Sequence, residues 1–102
     1  MDKRIIWTDQ VYRDIDSSAD YIAKDSEYYA ASFINAVLKA GKSLKTSPKR
    51  GRVVPEINDP DIREIFVKNH RLIYKIKEHS ITILALVHGS RDLATLWKKR
   101  SE

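Results

Sequence analysis

Cysteine is absent from this chain of 102 residues, which excludes disulfides and thiolate metal sites. Glycine and proline are scarce, three of each, and no phosphate-cradling glycine loop, nucleophile elbow or cofactor motif can be built from them. Long hydrophobic runs are also missing. The opening Asp2-Lys3-Arg4-Ile5-Ile6-Trp7 passes at once into polar sequence, so it has neither the apolar core of a signal peptide nor the length of a membrane span. A cytoplasmic protein with no membrane association is expected. The three histidines, His70, His79 and His88, show no recognised ligand spacing, so any catalysis is expected to proceed without metal or cofactor. Repeats, low-complexity stretches and linkers are lacking too, and a single domain over residues 1–102 is the economical reading.

Charge is plentiful but unevenly placed. The formal net charge is +5. Residues 2–27 hold four bases and seven acids, whereas residues 39–52 hold six bases (Lys39, Lys42, Lys45, Lys49, Arg50, Arg52) and no acid. Residues 63–100 add nine bases against three acids. A chain polarised in this way suits an anionic partner such as RNA, DNA or an acidic protein segment, or else it presents a solvated face.

The hydrophobic periods divide the chain into elements. Arg4–Trp7 reads as a short strand, and Thr8 as the cap of a helix in which Val11, Ile15, Ala19, Ile22 and Ala23 recur at helical spacing. Asp14, Asp16 and Asp20 are expected on its solvent side. Asp25-Ser26 breaks that helix and caps a second, with an apolar stripe from Ala30 through Phe33, Val37 and Leu38 to Leu44, ended by Ser47-Pro48. An irregular stretch from Lys49 to Asp61 follows, and then the period becomes two. Leu72, Tyr74 and Ile76 share one strand face, suited to packing under the helices, while Arg71, Ile73, Lys75 and Lys77 share the other, suited to water. Ile81–Val87 is apolar at nearly every position, as in a central strand buried on both faces. Lys68-Asn69 and Glu78-His79-Ser80 fit hairpin turns, and Arg91–Arg100 a last short helix with Leu93, Leu96 and Trp97 inward. The order is β-α-α-β-β-β-(α): an α+β fold, an antiparallel sheet with two N-terminal helices packed on one face.

The last third concentrates residue types that grip and cleave phosphates. Arg71, mid-strand on the polar face, is placed to bind a phosphate or stabilise added charge in a transition state. Arg91, past the last strand, would stabilise a leaving oxygen or simply pair with Asp92. His88 is a candidate acid or base for a ribose 2′-hydroxyl. Glu56 would act as base or hold an arginine in place, and Glu64 would neutralise its neighbour Arg63. The bases expected to meet nucleic acid are Lys45, Lys49, Arg50, Arg52, Arg63 and Lys75. Tyr74 belongs on the core side, and Trp7 and Trp97 read as core or interface anchors.

Taken together, these segments resemble the RelE/ParE superfamily of bacterial and archaeal type II toxins. The likeness runs through Trp7, the Ile15–Ile22 helix, the Ala30–Phe33 region, Pro48 with Gly51-Arg52-Val53-Val54-Pro55-Glu56, Arg63-Glu64-Ile65, His70-Arg71-Leu72-Ile73-Tyr74-Lys75-Ile76, and Ile83–Val87 followed by His88 and Arg91. The resemblance implies a growth-arresting toxin held in a hetero-oligomer by a cognate antitoxin that wraps the basic sheet and helices. RelE-like members enter the ribosome and cleave mRNA, and ParE-like members inhibit DNA gyrase by binding. Arg71 and Arg91 match RelE-type arginines. The lysines of the preceding strand are absent, with Ile62 and Glu64 near their places, and Trp97 stands near the late catalytic tyrosine. Other ribosome-dependent members use a glutamate, an arginine and a histidine, which Glu56, Arg71 and His88 would supply. The first expectation is therefore a ribosome-dependent, metal-independent mRNA endoribonuclease. A gyrase inhibitor and a non-toxic partner-binding relic are the alternatives.

Overall fold

The computed structural model describes residues 2–101. The chain runs β1 (Arg4–Trp7), α1 (Asp9–Ala23), α2 (Glu27–Ser43), a 3-10 turn (Pro48–Arg50), β2 (Arg52–Val53), β3 (Ile62–Val67), β4 (His70–Ile76), β5 (Ser80–His88) and α3 (Leu93–Ser101). Both long helices start at side-chain caps. The Thr8 hydroxyl accepts from the Val11 amide and donates to the Ile83 carbonyl, so it ties the start of α1 to the sheet. Ser26 caps α2 through the Tyr29 amide.

The five strands lie in the order β1-β5-β4-β3-β2. The expected α+β order is present, with two differences. β1 pairs with β5 in parallel, while β2 to β5 form the antiparallel part; the helical hairpin carries the chain across, as a parallel pairing requires. β2 is a two-residue strand inside the stretch expected to be irregular.

One sheet face packs under α1 and α2, where Val11, Ile15, Phe33, Val37 and Leu44 meet Ile65, Val67, Leu72, Tyr74, Ile81, Ile83 and Leu86. Gly41 lets α2 approach this layer, because a Cβ there would meet the Trp7 ring at 2.5 Å. The opposite face does not meet water as the strand parity suggested. Leu93 and Leu96 of α3, with Val54 from the loop after β2, cover Ile62, Ile73, Ala85 and Val87. The reason lies in β5, where the register slips between Ile73/Ala85 and Tyr74/Ile83, leaving Leu84 as the extra residue of a bulge. Leu84 and Ala85 thereby both serve the α3 side, giving that face enough apolar surface to hold a helix.

Asp14, expected in solvent, is buried. Its carboxylate accepts from the Leu86 amide, from Gln10, and from both terminal nitrogens of Arg100. β1 pairs with β5 only as far as Ile83, so Leu86 has no neighbouring strand on that edge. A buried amide needs a partner, and Asp14 supplies it while anchoring the end of α3. No helix among the described residues is long and apolar enough to cross a membrane.

Candidate functional site

Arg71 sits in a row of charges laid across three strands. Arg52 faces Glu64 in the β2–β3 register, and Glu64 faces Ile73, two residues along β4 from Arg71. All three side chains therefore share the α3 side of the sheet. Glu64, with no side-chain exposure, receives Arg71 Nε on one oxygen at 2.5 Å and Arg52 Nε on the other at 2.6 Å. Glu56 comes down from the loop and takes Arg71 in a bidentate pair, at 2.7 and 2.8 Å. Two guanidinium groups thus balance two carboxylates. Arg71 is only 7% exposed, and three of its N–H groups are committed to these carboxylates.

The electrostatics follow from that geometry. The Arg71 hydrogen bonds hold the Glu56 carboxyl down at about 2, against an ordinary 4.5, and the two carboxylates raise Arg71 above the usual guanidinium value. A carboxylate that weakly basic has little drive to take a proton near neutrality. Glu64, expected to neutralise Arg63, does not pair with it. Arg63 instead donates to the Pro60 and Gly51 carbonyls and fastens the loop.

His88 lies on the other sheet face from Arg71, since His88 faces His70 in the β4–β5 register while Arg71 faces Val87. Its Nδ1 lies 3.1 Å from the Ser90 amide and 2.7 Å from the Ser90 hydroxyl. The His70 and His88 rings meet edge to face at 5.1 Å, and Phe33 contacts His70 at 4.8 Å. Burial and the neighbouring His88 lower the His70 pKa, and its Nδ1 is buried without a partner among the described residues. Arg91 is exposed in the loop before α3, where it borders a hollow with His88, Arg13, Asp14 and Arg100. It does not pair with Asp92, whose carboxylate caps α3 through the amide and hydroxyl of Thr95.

The other expected bases are scattered. Lys45, Lys49 and Lys75 are exposed. Arg50 donates to the Ser43 hydroxyl, and the Arg52 guanidinium lies 5.2 Å over the ring of the exposed Phe66. Lys45 joins Arg4 and Lys42 around an apolar hollow formed by Ile5, Trp7 and Leu38, so one end of the molecule is basic. Among the described residues, no three His, Cys, Asp or Glu side chains gather as a metal site. The structure therefore joins Arg71 to Glu56 on one face, and brings His88, on the opposite face, to a hollow that Arg91 also borders.

Two features escaped the sequence reading. Glu64 ties the charge row together; its position on the same strand face as Ile62, a carboxylate at an inward-facing place, was the available signal. The second is a cleft between the α1–α2 tip and the β3–β4 turn, bordered by Tyr21, Tyr29, Phe33, His70 and His88. Its parts are distant in sequence and carry no shared motif.

Comparison with known proteins agrees with this architecture. A solved chromosomal ParDE toxin–antitoxin system from P. aeruginosa has the same fold, with a TM-score of 0.70 at 19% identity over 84% of this chain and 95% of that one. No curated protein sequence matches the chain. The family model described as the ParE toxin of the type II toxin–antitoxin system parDE matches residues 5–93. Since that match takes in both long helices and the whole sheet except Arg4 of β1, the chain belongs to the ParE toxin family of type II toxin–antitoxin systems.

Proposed function

We propose that the whole chain acts as one toxin domain that arrests growth by binding DNA gyrase, that a cognate antitoxin holds it inactive, and that it does not cut mRNA. The observation that carries this reading over the ribonuclease is the closed Arg71–Glu56 pair. Cleavage through a 2′-hydroxyl needs an available cation for the phosphate and a base able to take a proton. Here the buried guanidinium and the acidic carboxylate neutralise each other, and His88 stands on the far side of the sheet. Family membership supports the same choice, because ParE-like toxins are the gyrase-directed branch of the superfamily.

Two assays on one preparation test the proposal. Purified protein is expected to inhibit supercoiling by gyrase or trap its DNA breaks, and to leave mRNA intact in a translating extract. Ribosome-dependent cutting of mRNA with undisturbed supercoiling would overturn it. Expression without the antitoxin is expected to stop growth, and unimpaired growth would point to a non-toxic relic.

A further inference from the structure

The tip of the α1–α2 hairpin carries a cluster of tyrosines turned to solvent: Tyr21, Tyr28 and Tyr29 are 71%, 76% and 67% exposed. Beside them opens the cleft toward the β3–β4 turn, about 510 Å³ in volume, within the ~300–1,000 Å³ range of sites that take ligands or anchoring side chains. Aromatic rings from Tyr21, Tyr29 and Phe33 line it, together with Lys68, His70 and His88, and among the described residues no carboxylate does. An exposed aromatic patch running into a preformed cleft marks a protein contact, and Tyr is among the residues that dominate such contacts.

A second observation comes from the turn itself. Lys68 holds φ at 56°, a left-handed conformation that glycine would adopt without strain. A strained residue that keeps a long cationic side chain at the mouth of a cleft is a reason to look for what that cation meets.

We propose that this cleft seats a large apolar side chain from an acidic segment of the cognate antitoxin, with an adjacent carboxylate meeting Lys68. The proposal rests on the toxin–antitoxin reading above and adds the place and chemistry of the contact. Charge complementarity selects the segment, since the lining holds the Lys68 ammonium and, among the described residues, no acid to repel a carboxylate. Standing exposure selects the antitoxin over the target: an open aromatic patch on a free protein invites non-specific association, so its occupant is the partner that stays bound while the toxin is stored. The basic hollow at the other end, around Arg4, Lys42 and Lys45, shares no lining residue with the cleft.

Calorimetric titration of full-length cognate antitoxin into the purified toxin and its variants tests this. Tyr29→Ala is expected to weaken binding about 30-fold, the size of an interface hot spot, and Lys68→Glu about tenfold or more. Lys68→Gly relaxes the turn, so its weaker binding together with an unchanged or higher melting temperature separates loss of contact from loss of fold. Lys98→Glu, an equal charge change on the exposed side of α3, is expected to bind within about twofold of the parent at physiological salt, where distant charges are screened. Parental affinity in all the cleft variants would overturn the proposal, and so would variants that keep the antitoxin but lose gyrase inhibition, since the cleft would then face the target. An antitoxin that fails to bind even the unaltered toxin would instead sink the underlying pairing.

Discussion

Arg71 points its Nε at Glu64 and both terminal nitrogens at Glu56, so removing the guanidinium strands Glu56 and leaves the wholly buried Glu64 with Arg52 as its one remaining cation. Breaking a buried pair in this way costs about 3–5 kcal/mol, because the partner's charge is left uncompensated. We predict that Arg71→Ala loses stability on that scale in urea unfolding; a loss below about 1 kcal/mol would contradict the structural role. Any loss of toxicity in that variant would accordingly report unfolding as much as chemistry. Glu56→Gln, which keeps the shape, is the better probe. With its folded pKa depressed to about 2 from 4.5, Glu56 contributes stability that is full above pH 4.5 and is lost as pH falls toward 2. His70, also depressed, is a base favoured neutral in the fold, so its contribution is present above its ordinary 6.5 and declines below it. Stability is therefore expected to fall in two stages on acidification. Glu56→Gln should flatten the lower stage and spare the upper one, as read from melting temperature against pH. An unchanged lower stage would show that Glu56 is not the group responsible.

Tyr74 decides how the 3-10 turn and β2 are held to the sheet. Its buried hydroxyl donates to the Pro48 carbonyl and accepts from the Gly51 amide, and a Cβ on Gly51 would collide with that hydroxyl and with the Glu64 carbonyl. Tyr74→Phe leaves two backbone groups without their partner, one of them in a buried bond, and is predicted to cost about 1–3 kcal/mol. Gly51→Ala should cost about as much by overpacking, and parental stability in both would refute the pinning role. The core side of Tyr74 was legible from strand parity, as were both helix caps and the α1–α2 hairpin. β2 was not, because two residues carry no period; they become a strand only where Arg52 and Val53 find Glu64 and Arg63. The third layer was legible in part. A last helix with Leu93, Leu96 and Trp97 inward and a central strand buried on both faces were expected, but the Ile73 face of β4 was read as open to water. A bulge at Leu84 changes which residues face α3, and a continuous apolar run such as Ile81–Val87 does not reveal where its alternation slips.

Over the whole molecule, function was less legible than fold. Glu56, Arg71 and His88 were all present as candidates, and Glu56 does hold an arginine, but register puts Arg71 and His88 on opposite faces, which spacing alone does not encode. Charge polarity, by contrast, was readable and survives folding. Arg4, Lys42 and Lys45 ring one hollow, and Lys3, Lys49 and Arg50 line the neighbouring one. Such an end draws a polyanion by long-range attraction, which acts on association and fades with salt. If the target is gyrase with its DNA, this basic end is the surface that approaches it. The triple reversal Lys42→Glu/Lys45→Glu/Lys49→Glu removes six units of charge and takes the formal +5 to −1. We predict that it raises the concentration needed for half-inhibition of supercoiling about tenfold or more at low salt, with the gap from the parent narrowing as ionic strength rises. Equal potency at low salt would mean that the polarity serves solubility and that contact is made elsewhere. A deficit that does not shrink with salt would mean that the lysines act through short-range packing instead of the field.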